Sequence, residues 1–368
     1  MHAARLDRTR AAMVALEIDV LLLSVGADLP WLIGYEAMPL ERLTMLVVPA
    51  DGNATLIVPR LEAPRVVERG DLFTIAPWNE TDDPLDLVAS LVAGASTAAI
   101  GDRTWAQFLV GLTERLQATR FRRGSEVTGP LRAVKDAAEI DALARASAAV
   151  DRIAAELQAG DIALVGRTEA QVSAELGRRI LAEGHHRVNF AIVAAGENAA
   201  SPHHEAGDRV IGRDEVVLCD FGGTMLTDGG AGYCSDITRC VFTGDPSAEF
   251  TELYDVLFAA QAAGVVAGTV GRPAEDVDAA ARSVITDAGY GEWFIHRTGH
   301  GIGVEEHEDP YIVAGNAQPL VAGNAFSIEP GIYVPGRWGA RLEDIVVATE
   351  AGPRSLNTVD HRLVAVDA

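Results

Sequence analysis

The sequence predicts an α+β chain of two domains: an N-terminal α/β domain over residues 1–128 and a larger domain over 129–368. Three observations point there. In the first third, short apolar runs bounded by turn residues alternate with helical stretches. At Gly124–Pro130 this alternation ends and a long helix begins a few residues later. From there to the C-terminus the order of two helices and then strands runs twice, which points to two halves related by pseudo-symmetry.

In the first domain, strands are expected at Val20–Ser24, Leu43–Val48, Ala54–Val58, Leu72–Pro77 and Ala98–Gly101. Asp51-Gly52-Asn53 between the second and third reads as a hairpin turn. Helices are expected at Ala3–Leu16, Pro84–Ala93 and Trp105–Gln117. In the second domain, Asp136 followed by Glu139 reads as a capping box that opens a helix running to about Gln158. A second helix starts after Thr168, with Gln171 at the matching position, and stops at Gly184. Strands follow at Phe190–Ala194, Glu215–Phe221 and Cys234–Phe242, then helices at Pro246–Val266 and Pro273–Ala288. The last strands are Ala325–Ile328, Gly331–Val334 and Leu342–Ala348.

Composition narrows the function. The chain carries 53 acidic and 30 basic side chains, a formal net charge of -23. Such a field repels nucleic acid, whose affinity for proteins comes from Lys and Arg on phosphates. No uninterrupted apolar run has the length of a membrane-spanning helix, so no membrane partner is expected. Arg5, Arg8 and Arg10 are followed by Glu17 and Asp19 rather than an apolar stretch, so a cytoplasmic location without a secretory signal is expected. The three cysteines, Cys219, Cys234 and Cys240, lack Cys-x-x-Cys spacing and read as small buried hydrophobes.

The chemistry is concentrated after residue 200. Asp220 ends the apolar run Val216-Val-Leu-Cys, and Asp236 sits inside Tyr233-Cys-Ser-Asp-Ile-Thr-Arg239. His300 lies between glycines in Gly299-His-Gly-Ile-Gly303, which lets the backbone come close to a site. Glu329 follows Phe326-Ser-Ile, and Glu343 leads into Asp344-Ile-Val-Val. Each has an ordinary explanation alone: a turn residue, an arginine partner, or for Glu343 a salt bridge with Arg341. Together they are four carboxylates and one imidazole at apolar positions. Buried carboxylates repel one another unless cations stand between them. Oxygen donors with one imidazole suit manganese or a similar first-row ion.

These stretches, in this order, resemble the Xaa-Pro peptidases and methionine aminopeptidases of the pita-bread fold. Pro202-His203-His204, Asp220-Phe-Gly, the Tyr233–Arg239 run, His296, Gly299–Gly303 with His307, Ile328-Glu329-Pro-Gly-Ile-Tyr333 and Arg341-Leu-Glu343-Asp carry the likeness. Trp31-Leu-Ile-Gly34-Tyr35 and Leu131-Arg-Ala-Val-Lys135 extend it to a creatinase-like N-terminal domain. The resemblance implies two divalent metal ions, manganese first, with Co2+, Zn2+ or Fe2+ as alternatives. Asp220 would chelate one, Asp236 and Glu343 would bridge both, and His300 and Glu329 would complete the second. Glu329 would also move a proton for a metal-bridging hydroxide, with His203 and His307 beside the reacting carbonyl. His296, Tyr333 and Arg341 would line the substrate pocket. The implied activity is that of an Xaa-Pro dipeptidase (prolidase) on proline-containing dipeptides, in a homodimer. Aminopeptidase P, acting on longer peptides, is the alternative enzyme. A metal-free binding module is the non-enzyme alternative. Creatinase-type chemistry is disfavoured by the intact ligand set, and methionine aminopeptidase by the N-terminal domain.

One feature departs from the family pattern. Asp220 and Asp236 stand 16 residues apart, farther than usual, with Met225–Gly232 as the added length. Asp228 in that loop is a rival second ligand. Asp236 is preferred because the residues around it are intact.

Overall fold

The computed structural model describes residues 2–366, which form two compact units. The first comprises Met1–Arg132 together with Thr227–Gly232, and the second comprises Ala133–Leu226 and Tyr233–Ala368.

The first unit runs α1 (His2–Ala15), β1 (Val20–Leu23), α2 (Asp28–Ile33), β2 (Met45–Pro49), β3 (Ala54–Pro59), β4 (Phe73–Trp78), α3 (Pro84–Val92), β5 (Thr97–Ile100), α4 (Ala106–Arg115), β6 (Arg120–Arg123) and α5 (Ser125–Ala133). Its six strands form one mixed sheet in the order β4-β3-β2-β1-β5-β6. The β2–β3 hairpin is antiparallel, as the Asp51-Gly52-Asn53 turn predicts. Val20, Leu22, Met45, Val47 and Ile57 pack on one face against Val88 and Val92 of α3 and Phe108 and Leu112 of α4. Two elements escape the sequence pattern. The six residues of α2 include five buried ones, so the helix shows no amphipathic period. The strand β6 reads Arg-Phe-Arg-Arg at the sheet edge, where charged side chains stay in water and leave no apolar run. Of the Gly124–Pro130 stretch, Ser125–Pro130 is helical, within α5.

The second unit opens with α6 (Ala137–Gln158) and α7 (Glu169–Ala182). Both begin with the capping boxes read from sequence, Asp136 with Glu139 and Thr168 with Gln171. Then come β7 (Arg187–Ala195), β8 (Glu215–Leu226), β9 (Gly232–Cys234) and β10 (Ile237–Thr243). The second half repeats the order: α8 (Ala248–Ala267), α9 (Ala274–Asp287), then β11 (Gly299–Gly301), β12 (Glu308–Ile312), β13 (Ala325–Ile328), β14 (Gly331–Val334), β15 (Trp338–Arg341), β16 (Asp344–Thr349), β17 (Gly352–Ser355) and β18 (Val364–Val366). The first half-sheet is ordered β18-β10-β8-β7 with β9 on β8, the second β12-β11-β13-β16-β17, and β14-β15 forms a ribbon.

Helices α6 and α7 cover the first half-sheet through Val150, Leu157, Val172 and Leu176 against Val193, Cys219 and Phe221. Among the described residues α8 is the one helix long and apolar enough to cross a membrane. Here it is a core helix: Phe250, Leu253, Tyr254 and Leu257 are buried against Val216, Leu218, Ile332 and Leu342. The half-sheets meet where Thr238 of β10 bridges Glu343, just before β16.

The run Cys234–Phe242, expected as one strand, is broken at Ser235 and Asp236. Hydrogen bonding explains the break. The Cys234 N–H donates to Gly303 O, whereas the Ser235 N–H donates to Gly223 O. Ser235 Oγ also lies 2.8 Å from His185 Nε2. The turn needs Gly222, where an added Cβ would stand 2.1 Å from Ser235 O. Gly222→Ala should therefore cost about 2 kcal/mol, read as a lower urea midpoint. An unchanged midpoint would show that this contact does not constrain the turn.

Candidate metal centre

Register brings the ligand candidates together. Asp220 on β8 pairs with Thr238 on β10, and Thr238 bridges Glu343. One carboxylate from each half-sheet therefore flanks a single threonine, whose hydroxyl donates to Glu343 Oε2 at 2.7 Å. The break between β9 and β10 delivers Asp236 beside them. From the second half, His300 stands in the middle of β11, and Glu329 directly follows β13. An added Cβ at Gly299 would lie 1.9 Å from Ser327 O, so glycine lets β11 lie this close to β13.

Ligand atoms of Asp236, His300 and Glu343 all lie within 4.8 Å of one another. His300 Nε2 is 3.8 Å from Asp236 Oδ2 and 3.3 Å from Glu329 Oε1. His300 Nδ1 donates to Gly301 O at 3.1 Å, which leaves the Nε2 lone pair facing the carboxylates. The His300 backbone N–H donates to Ser327 Oγ, and that hydroxyl donates to Glu329 Oε1 at 3.2 Å. Asp220 lies on the other side of the cluster. Arg341 Nη2 donates to Asp220 Oδ2 at 2.6 Å, and Arg341 Nη1 donates to Tyr333 Oη at 2.7 Å. Arg341 thus pairs with Asp220, while Glu343 takes its hydrogen bond from Thr238. Asp228, the rival ligand, is exposed in the loop tip that belongs to the first unit.

The electrostatics are those of a site that favours a cation. Burial, followed by the charges of neighbouring carboxylates, pushes Asp236 and Glu343 well above the usual carboxylate range. Burial raises Glu329 to about 7, with the Arg341 guanidinium opposing the shift. Burial lowers His300 to about 3, so its imidazole is neutral. Asp220 Oδ1, Asp236 Oδ1 and Glu343 Oε1 are buried with no hydrogen-bond partner. Three orphaned acceptors are costly unless something satisfies them. Oxygen donors with one neutral imidazole match the donor preferences of divalent first-row ions.

The remaining residues predicted from sequence gather around this cluster. The His307 ring lies 3.9 Å from that of His300, centre to centre, and is exposed. His296 Nδ1 donates to Arg297 O at 2.7 Å, and its Nε2 accepts from Tyr333 Oη at 2.9 Å. Burial, aided by Arg341, lowers His296 to about 4. Both nitrogens of His296 are therefore engaged within the protein. His203 is exposed on the segment after the 3-10 turn Gly196–Ala200.

Sequence reasoning missed several supports. Thr238 and Ser327 carry no charge and give no signal. Asp278 of α9 is buried and accepts from the Thr298 N–H and hydroxyl, and Arg282 binds the carbonyls of Phe294 and His296. Buried Lys135 donates to Glu308, next to His307, at 2.6 Å. Lys135 was legible only as part of the Leu131–Lys135 motif.

The fold and cluster define a metal-dependent hydrolase. The profile of metallopeptidase family M24 matches residues 132–350, and that of the creatinase/prolidase N-terminal domain matches residues 5–134. The chain is 44% identical over 370 residues to a probable dipeptidase PepE of Mycobacterium tuberculosis, covering 100% of this chain and 97% of that protein. It is 36% identical over 362 residues to an Xaa-Pro dipeptidase of Lactobacillus helveticus, covering 94% of each. The crystal structure of a prolidase from Thermococcus sibiricus superposes with a TM-score of 0.93 at 33% identity, covering 100% of this chain and 99% of that one. The chain belongs to metallopeptidase family M24 and is a metal-dependent peptidase with a pita-bread catalytic domain.

Removing divalent ions with a chelator should lower the unfolding temperature, and adding Mn2+ should restore it. At a hundredfold excess over Kd the ion adds about 2.7 kcal/mol. A ligand must lose its proton to bind a metal. With Glu329 at about 7 and Asp236 and Glu343 raised, affinity should weaken as pH falls below neutrality. Calorimetric titration of the stripped protein at two pH values checks the sign.

Proposed function

We propose that this chain is an Xaa-Pro dipeptidase that holds two divalent ions on Asp220, Asp236, His300, Glu329 and Glu343. The observation that carries the reading is an intact carboxylate–imidazole cluster in a chain similar over 94% of its length to an Xaa-Pro dipeptidase. Bound divalent ions supply the Lewis acidity that polarises a carbonyl and lowers the pKa of water. Manganese suits the oxygen-rich donor set. Three free, buried cysteines fit a reducing, cytoplasmic setting. The homodimer rests on the family resemblance.

The protein's own groups perform the proton work. Glu329 keeps 15% of its side chain exposed at the cluster, so its carboxylate can exchange a proton with water and substrate. It takes the proton of the attacking water and passes it to the prolyl nitrogen, which has no hydrogen of its own in the peptide bond. His307 and His203, both exposed beside the cluster, donate to the carbonyl oxygen as negative charge develops there. His296 has no free nitrogen for hydrogen bonding, so it serves with Tyr333 as a pocket wall. Arg341 fixes that wall and Asp220 from one guanidinium, which sets the distance between substrate and metal ligands.

Xaa-Pro dipeptides should be cleaved and Xaa-Pro-Yaa tripeptides spared. Cleavage of the tripeptide alone would instead identify an aminopeptidase P. Glu329→Gln should lower kcat by about a hundredfold or more. His307→Ala should retain metal by elemental analysis and lose about a hundredfold in kcat. Wild-type turnover in either variant at full metal occupancy would remove the corresponding role.

A further inference from the structure

A second buried carboxylate lies outside the metal cluster. Glu169, in the first turn of α7, is completely buried. No lysine or arginine side chain donates to it among the described residues. Instead it accepts from the Ala195 N–H at 2.8 Å, from Asn198 Nδ2 at 3.0 and 3.2 Å, and from His204 Nε2 at 2.7 Å. The Gly207 N–H stands 3.5 Å away. These donors all belong to the turn and segment between Ala195 and Gly207. The start of α7 holds the end of this segment as well: the N–H groups of Glu169 and Ala170 donate to Arg209 O and Gly207 O. A buried charge is expensive, and these donors with the helix N-terminus offset that cost.

The segment held in this way carries His203. Arg341 binds it as well, donating to Pro202 O at 3.3 Å. His203 thus lies between a carbonyl clamped by the guanidinium at the metal cluster and an imidazole clamped by Glu169. Its own side chain is exposed and has no such restraint.

We propose that Glu169 is a positioning residue that acts through His204 to hold the His203 imidazole at the substrate. The inference rests on the role proposed above for His203. A neutral side chain of similar size would fill the same space but could not accept from a backbone amide, an Asn amide and an imidazole at once. Only a carboxylate has acceptor sites enough to fasten the turn at Ala195–Asn198 and the chain at His204 together.

The experiment uses the metal-loaded enzyme. Glu169→Ala should lower kcat/KM on an Xaa-Pro dipeptide by about ten- to a hundredfold, because small misplacements of a catalytic group are costly. Metal content should stay unchanged. In a double-mutant cycle, His203→Ala should cost less than about threefold in the Glu169→Ala background, since the two changes remove one function. Independently of activity, backbone hydrogen exchange over residues 196–207 should accelerate. His204→Ala, which alters a partly exposed residue, should reproduce these effects and serves if Glu169→Ala does not fold. Unchanged exchange over 196–207, or full additivity with His203→Ala, would overturn the proposal. If the wild-type enzyme cleaves no Xaa-Pro peptide, the substrate reading fails, while the exchange measurement still decides whether Glu169 holds this segment.

Discussion

The catalytic unit is organised around carboxylates that cannot comfortably share a buried site. Asp236 and Glu343 lie beside each other with Asp220 and Glu329 close by, and one buried oxygen on each of Asp220, Asp236 and Glu343 finds no hydrogen bond. Mutual repulsion and burial raise the acids of Asp236 and Glu343 together. Divalent charge among its oxygens would relieve that repulsion. Much of the surrounding architecture keeps the carboxylates at the separation that such a charge requires.

Three restraints achieve this. The bridge between Thr238 and Glu343 joins the half-sheets, and the Thr238 hydroxyl fixes one oxygen of Glu343. Arg341 fixes one oxygen of Asp220 and at the same time orients Tyr333, and through it His296. Ser327 links the His300 backbone to Glu329. In each pairing a protein donor occupies one acceptor of a candidate ligand. The lone pairs left over on Asp220, Asp236 and Glu343, with His300 Nε2, are those available for metal.

The same logic extends outward. Buried charged groups that do not face the cluster are paired with the segments that carry site residues. Asp278 holds Thr298 two residues before His300, and Lys135 pairs with Glu308 beside His307. Arg239 donates to Asp344 and to the Glu343 carbonyl, which secures the strand that follows Glu343. Such buried pairs contribute little net stability on average but are costly to break singly. Here they fix the geometry of catalytic segments.

The sequence by itself determined both capping boxes, the β2–β3 hairpin and the main helices, and it marked Asp220, Asp236, His300, Glu329 and Glu343 as candidates. These were legible because caps and turns are local, and because charges inside apolar runs demand an explanation. What only the tertiary structure decided was non-local. The break at Ser235–Asp236 depends on Gly222 and Gly303, far away in the chain. The choice of Asp220 rather than Glu343 as the partner of Arg341 depends on sheet register. The roles of Thr238, Ser327 and Glu169 depend on which segments come to lie beside them. None of these residues breaks a local rule, since a threonine in a strand or a glutamate in the first turn of a helix is ordinary on both counts. Their significance comes from neighbours more than a dozen residues away, which a linear pattern does not encode.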